Sequence, residues 1–383
     1  MDDPGLNSDE MATLFGPDGR VRAFLEFEAA LAQSQAELGL IPEAAAKAIV
    51  SVCAGLEVDA RTVVDRGWEE GTPLIPLLDL IREDLPAEHR DHLHWGTTTQ
   101  DVVDTALAWR SSKAIQVLIR DLVDTGDRCS RLADEHRHTW MTGRTFLQAA
   151  RPTTFGARAA LWLDSVRGRL HALDVTAGGL RVQLGGPVGI GSGMGGRARE
   201  VASLVGERLG LGAAEVPWQS DREPVVALAA TVAGVARTSE KIAGDLMVLA
   251  QTEVGEVAMR PGGSTAMSHK ANPVDAMRAM AAARLAVTAA AGLITSPPPR
   301  LERDAGGWQV EWPLISDVFD AAAVSVEAVN RALATIEVDA SRMNANLDRS
   351  LGSDRPEPAE IDRLITAAVS GYEKIRASSS SAG

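Results

Sequence analysis

Five stretches of this chain keep helical periodicity for longer than a compact globule can use: Val103 to His138, Thr154 to Val182, Pro224 to Gln251, Pro273 to Leu293 and Trp312 to Leu333. At roughly 20 to 35 residues each, they reach or pass the ~25 residues at which ordinary globular helices end, and they carry too many apolar positions to be solvated rods. They must pack along their length. Alanine-rich faces such as AARLAVTAAAGL (Ala282 to Leu293) let neighbouring helices approach closely, so the fold class is all-α, an extended bundle completed by further copies of the chain. Composition points the same way. Of 383 residues, 45% are hydrophobic, but only 8 Trp, 6 Phe and 1 Tyr are aromatic, too few for β-sandwiches or base-stacking platforms.

The first hundred residues have a different texture. VRAFLEFEAALAQSQAEL (Val21 to Leu38) spaces Phe24, Phe27, Leu31 and Leu38 as an amphipathic helix that Gly39 and Pro42 end; a shorter helix follows over Glu43 to Cys53, and another stops near Asp84, ahead of Pro86. The expected organisation is a small N-terminal helical domain (1–102), a central long-helix bundle (103–345) and a short C-terminal part (346–383) with one helix near Glu360 to Ile375 and a serine tail. A net charge of −14 without a basic block opposes a nucleic-acid or anionic-membrane surface. Two cysteines cannot build a disulfide framework, and the acidic MDDPGLNSDE start is unlike a secretory leader, so a cytoplasmic protein with neither nucleic-acid nor membrane partner is expected.

Chemistry belongs in the breaks between long helices. GGSTAMSHKANP (Gly262 to Pro273) packs glycines, hydroxyls, a cation and an amide into twelve positions. Glycines expose backbone N–H groups to an anion, and a serine among such donors near Lys270 can act as a base. HWGTTTQD (His94 to Asp101) precedes a long helix, where hydroxyls at an N-terminus suit anions but also simply cap.

These segments resemble the three signature regions of the fumarase/aspartase superfamily: HWGTTTQDVVDTA (His94 to Ala106) the first, GRTFLQAARPTTFG (Gly143 to Gly156) the second, and GGSTAMSHKANP the third, with Ser268 where the family has proline. Within that superfamily, FLEFEAALAQSQAELGLIP, QLGGPVG, VPWQSDRE, QTEVGEV and LERDAGGWQVEWP look most like its carboxymuconate cycloisomerases. The resemblance implies an all-α subunit, a homotetramer with active sites shared between subunits, a di- or tricarboxylate substrate, and neither metal nor organic cofactor. It places Ser264 as the catalytic serine with Lys270 beside it, and Thr98, Thr99, Gln100, Arg144, Thr145, Gln148, Arg222 and Asn272 at the substrate. For Arg144, a structural ion pair is an equal reading. The chemistry it implies is proton exchange beside a carboxylate through an aci-carboxylate, while a group leaves or adds at the next carbon.

One departure is informative. Amine- and water-eliminating relatives carry a histidine after the threonine of the second region; this chain has Phe146. Amine and hydroxide need a proton to leave, whereas a carboxylate, with a pKa near ~4, does not. Lactone chemistry fits, and so does elimination of nitrite. Two other signals carry less. Gly191 to Gly196 satisfies G-x-G-x-x-G without the strand context that a dinucleotide site requires. His92/His94 and His136/His138 are spaced to point apart on a helix, which suits no metal.

Overall fold

Helix length sets the architecture. A computed structural model describes residues 6–263, 267, 270–304 and 306–380, with thirteen α-helices among them. They are α1 (Asp9–Phe15), α2 (Pro17–Glu37), α3 (Glu43–Gly55), α4 (Ala60–Glu69), α5 (Leu74–Asp84), α6 (Thr99–Glu135), α7 (Phe155–Gly179), α8 (Ala198–Leu209), α9 (Glu223–Ala250), α10 (Val274–Thr295), α11 (Gly307–Ala334), α12 (Ala340–Leu351) and α13 (Ala359–Ser380). The five long helices α6, α7, α9, α10 and α11 occupy the stretches that periodicity marks and run up and down against one another. By length and composition alone α10 could cross a membrane; here its buried alanines and Leu293 join the bundle core between α9 and α11.

Two hydrophobic cores result, and neither follows chain order. The larger joins the long helices, and α1 contributes Met11 and Phe15 to it. The smaller gathers α2 to α5, the first turns of α6, the distant helix α8, and Trp308 and Trp312 at the start of α11. α13 runs on to Ser380, past the serines expected as a tail, and lies on α6 and α7 with Ile365 and Tyr372 fully buried. Tyr372 explains Gly126 in mid-α6: a Cβ there would lie 2.3 Å from the tyrosine ring. The ring's hydroxyl lies within hydrogen-bond distance of two acceptors, the Val123 carbonyl (2.8 Å) and Asp127 (2.7 Å), which share its one proton. Cys53 and Cys129 are free and buried, and burial pushes both thiols up to about 12, so neither is a reactive thiolate.

Strands are few. β3 (Arg181–Val182) pairs with β4 (Gly212–Ala213), and β5 (Val257–Ala258) with β6 (Glu337–Val338). The larger pair is the hairpin of β1 (Trp140–Thr145) and β2 (Gln148–Thr154), which fills the break between α6 and α7 and packs on α12. Its two turn residues, Phe146 and Leu147, both adopt left-handed φ (50° and 63°), and their side chains stand 99% and 70% exposed.

The smaller core is fastened to the start of α6 by an ion pair. Glu28 of α2, 1% exposed, accepts a hydrogen bond from His94 Nδ1 at 2.7 Å. Burial works against the charged imidazole, but Glu28, and more weakly Asp101, outweigh it and raise the His94 pKa. A raised histidine pKa gives stability that is complete below the unfolded value of ~6.5 and is lost as pH rises through the folded value. Between about pH 6 and pH 8.5, the thermal midpoint of the wild-type protein should therefore fall toward that of His94→Gln. A constant gap across that range would show that His94 carries no charge here.

Candidate active site

The residues of the first signature region stand at the start of α6, held by a dense set of donors. Gly96 turns the chain with φ +75°, and its backbone lies against Gly193 so closely that a Cβ would meet the Gly193 carbonyl at 2.8 Å. The glycine-rich 191–196 segment thus serves as packing for this turn. Thr98 is the N-cap residue, its N–H donating to Asp101 Oδ2 at 3.1 Å. Asp101, fully buried, also accepts from the backbone N–H of Gly185 (2.8 Å) and Gly186 (2.9 Å) and from Gln183 (3.0 Å). Burial pushes its carboxyl above the ordinary carboxylate range, against the pull of these four donors. Gln100 is buried as well: its Nε2 donates to the Gln219 carbonyl (2.8 Å) and Asp104 (3.1 Å), while its Oε1 accepts from Arg303 Nε at 3.0 Å. Arg303 also donates to Thr98 Oγ1 at 2.9 Å. A guanidinium so placed, among short hydroxyls at a helix N-terminus, makes this corner strongly attractive to carboxylates.

Arg222 sits beneath it, committed to two buried acids. Its Nη1 and Nη2 donate to the two oxygens of Asp104 at 2.6 and 3.0 Å, and its Nε and Nη2 reach Glu311 at 3.0 and 2.6 Å. Trp308 Nε1 adds a bond to Asp104 at 3.0 Å. Burial pushes the Glu311 carboxyl above its ordinary range, and Arg222 only partly offsets that. With its donors occupied, Arg222 ties α6, α9 and α11 together. A cavity of about 350 Å³ opens beside it, walled by Gln100, Gln219, Arg222, Pro298 and Trp308.

The other two regions lie at the far end of the bundle. α9 leads from Arg222 at one end toward Glu256 at the other, and 28 residues at a rise of ~1.5 Å span about 42 Å. There the hairpin, rather than a helix, presents Arg144, Thr145 and Gln148. Arg144 makes a two-pronged pair with Glu256 (2.7 and 3.0 Å), which is 0% exposed and is also bonded by Asn346 at 2.9 Å. Thr145 and Gln148 are exposed near the hairpin tip. The third region leaves and rejoins the fold through paired backbone bonds between Gly262 and Asn272 (2.8 and 3.3 Å), and the Asn272 amide donates to the Gly263 carbonyl at 3.0 Å. Arg260, just ahead of it, pairs with Asp275 at 3.0 Å. Lys270 is exposed. Ser264 lies outside the described residues.

One chain therefore brings Thr98, Thr99, Gln100 and Arg222 to one end, and Arg144, Thr145, Gln148, Lys270 and Asn272 to the other. Sequence reading missed Arg303, Asp104, Glu311 and Glu256. Two of them, Arg303 and Glu311, stand in LERDAGGWQVEWP, and Glu256 stands in QTEVGEV, so both segments had already been singled out without the reason. Among the described residues, no cluster of three or more His, Cys, Asp or Glu side chains is arranged to hold a metal ion.

Known proteins resemble this chain in sequence and fold. The pattern of a lyase family matches residues 5–286. A 3-carboxy-cis,cis-muconate cycloisomerase of Bradyrhizobium diazoefficiens is 34% identical over 358 residues, covering 91% of this chain and 79% of the relative. A nitrosuccinate lyase of Streptomyces davaonensis is 35% identical over 349 residues, 86% of this chain and 73% of the relative. Among solved structures, the 3-carboxy-cis,cis-muconate lactonizing enzyme of Pseudomonas putida superposes with a TM-score of 0.87 at 28% identity, covering 97% of this chain and 98% of that one. The chain belongs to this lyase family and is an enzyme of the fumarase/aspartase superfamily.

The arginine clamp has a measurable consequence. Arg222→Met would leave Asp104 and Glu311 buried without their counter-charge, a loss on the order of 3–5 kcal/mol in denaturant unfolding. A loss below about 1 kcal/mol, the scale of an exposed pair, would mean that the cluster contributes no more than a surface contact.

Proposed function

We propose that this chain is a cofactor-free cycloisomerase that interconverts 3-carboxy-cis,cis-muconate and a carboxymuconolactone. The observation that carries this reading is the likeness to the carboxymuconate lactonizing fold over 97% of the chain. Phe146 supports it, because a phenyl ring at the second region cannot donate the proton that an amine or hydroxide leaving group needs. In the lactonizing direction, one carboxylate oxygen bonds to the ring-closing carbon. The electron pair of that double bond moves onto the adjacent carbon and into its carboxylate, giving a dianionic aci-carboxylate. The Ser264 hydroxyl delivers a proton to that carbon and regains one from solvent. Lys270, Asn272 and the loop N–H groups stabilise the spread negative charge, each such donor contributing on the order of 10²–10³ in rate. Thr98, Thr99 and Arg303 hold the remaining carboxylates, and Gln100, expected at the substrate but with both amide N–H groups taken by Gln219 and Asp104, instead positions Arg303.

The site is completed between copies in a homotetramer, with Thr145 and Gln148 reaching a neighbour's substrate. Supporting this are the ~42 Å between the two motif-bearing ends and the exposed apolar residues Leu161, Val175, Met277 and Ile294 on the bundle helices. Two free, buried cysteines suit a reducing cytoplasm.

Purified protein added to 3-carboxymuconate should bleach the diene absorbance, and Ser264→Ala or Lys270→Ala should slow this by at least ~10². Release of nitrite from nitrosuccinate with no loss of the diene would instead assign the second lyase chemistry, which Phe146 equally permits. Mixing inactive Gln100→Ala with inactive Lys270→Ala subunits should restore part of the activity, since some sites in mixed assemblies draw both regions from undamaged copies. A mixture as dead as its components would place each site within one chain.

A further inference from the structure

Where α2, α6 and α11 meet, Arg20, Arg110 and Trp312 line one small space. Arg110 of α6 is only 6% exposed. Its Nε donates to the Ala106 carbonyl at 3.2 Å, within its own helix, and the guanidinium carbon lies 5.3 Å from the centre of the Phe15 ring. Arg20 of α2 lines the same space and is the charge that acts on Arg110. Among the described residues, neither guanidinium is paired with a carboxylate. The third donor is Trp312 Nε1, a buried N–H with no hydrogen-bond partner, on a side chain 7% exposed. Phe24, Pro73, Val103 and Leu107 also line the space, which is small, about 10 Å³.

Arginine does not shed its proton at ordinary pH, although burial and the second arginine pull the Arg110 pKa down to about 9. Two cations thus stand side by side in a low-dielectric seam, where an unpaired charge is costly. The Phe15 ring face offers Arg110 partial compensation and gives Arg20 none. A water molecule could accept the hydrogen bonds but would leave both charges uncompensated. A monatomic anion answers both needs, and the space is too small for phosphate, sulfate or a tricarboxylate.

The geometry points to a chloride site at Arg20, Arg110 and Trp312, separate from the carboxylate-binding corner, where the bound halide fastens the small N-terminal core to the bundle. The corner's arginine, Arg303, bonds Gln100 and Thr98, and Arg222 beneath it is paired with Asp104 and Glu311, so the two sites do not share a cation.

Crystals grown with bromide in place of chloride should give an anomalous scattering peak between these three side chains. In solution, the thermal midpoint should rise with chloride, and likewise with bromide, relative to gluconate at constant ionic strength. Arg20→Met should abolish both responses while leaving the fold intact, and Arg110→Met should do the same if it folds. Absence of a bromide peak at this position, or an equal chloride response in the wild type and Arg20→Met, would overturn the assignment. A peak with the expected loss in Arg20→Met would establish it whatever the fate of Arg110→Met.

Discussion

A bundle built from helices longer than 20 residues has sides that must be packed and ends that need not be. That constraint governs everything else in this molecule. Side positions are given largely to alanine, valine and leucine, as in α10, while the three signature regions fall at ends or breaks of the long helices, where helices start and stop. The ends also offer unpaired backbone N–H groups, the cheapest anion receptors a helical protein has. Because successive helices alternate direction, the loops after α6 and α9 emerge together, far from the start of α6. Separation of the motifs is thus a direct result of helix length.

Much of this is visible in the sequence, for a physical reason: helix periodicity over 20 or more residues is redundant, so the long helices can be placed to within a few residues, with α6 starting at Thr99 rather than Val103. The hairpin is not visible. A two-residue turn with both φ positive usually announces itself as Asn-Gly, and here the positions are Phe146 and Leu147, held by the strands on either side and by α12 rather than by local preference. The wandering of α8 into the smaller core is equally silent, since only tertiary packing decides which apolar face a short helix meets. At the site, residue types could be read from the three regions, but their partners could not. Glu256 reads as one acid among many until Arg144 is seen to close on it.

Four buried acids are treated alike. Asp104 and Glu311 share Arg222, Glu256 takes Arg144 and Asn346, and Glu28 takes His94. In each case an acid inside the protein is matched by a donor with directional N–H groups, and each match joins elements that are distant in sequence. Such pairs add little net stability over a well-packed apolar alternative, but they penalise misregistered packing heavily. Helices with near-repetitive alanine faces can slide against one another, and an arginine locked to two carboxylates removes that freedom.

Tyr372 is the only tyrosine in the chain. Its burial, with Asp127 against it, pushes the phenol well above its ordinary range, so at a pH just above the ordinary phenol value of ~10 the ring ionises only in molecules whose last helix has come away from the bundle. The protein thereby carries an intrinsic optical marker, tyrosinate absorbance, for undocking of its C-terminal helix, and no label has to be introduced to follow it.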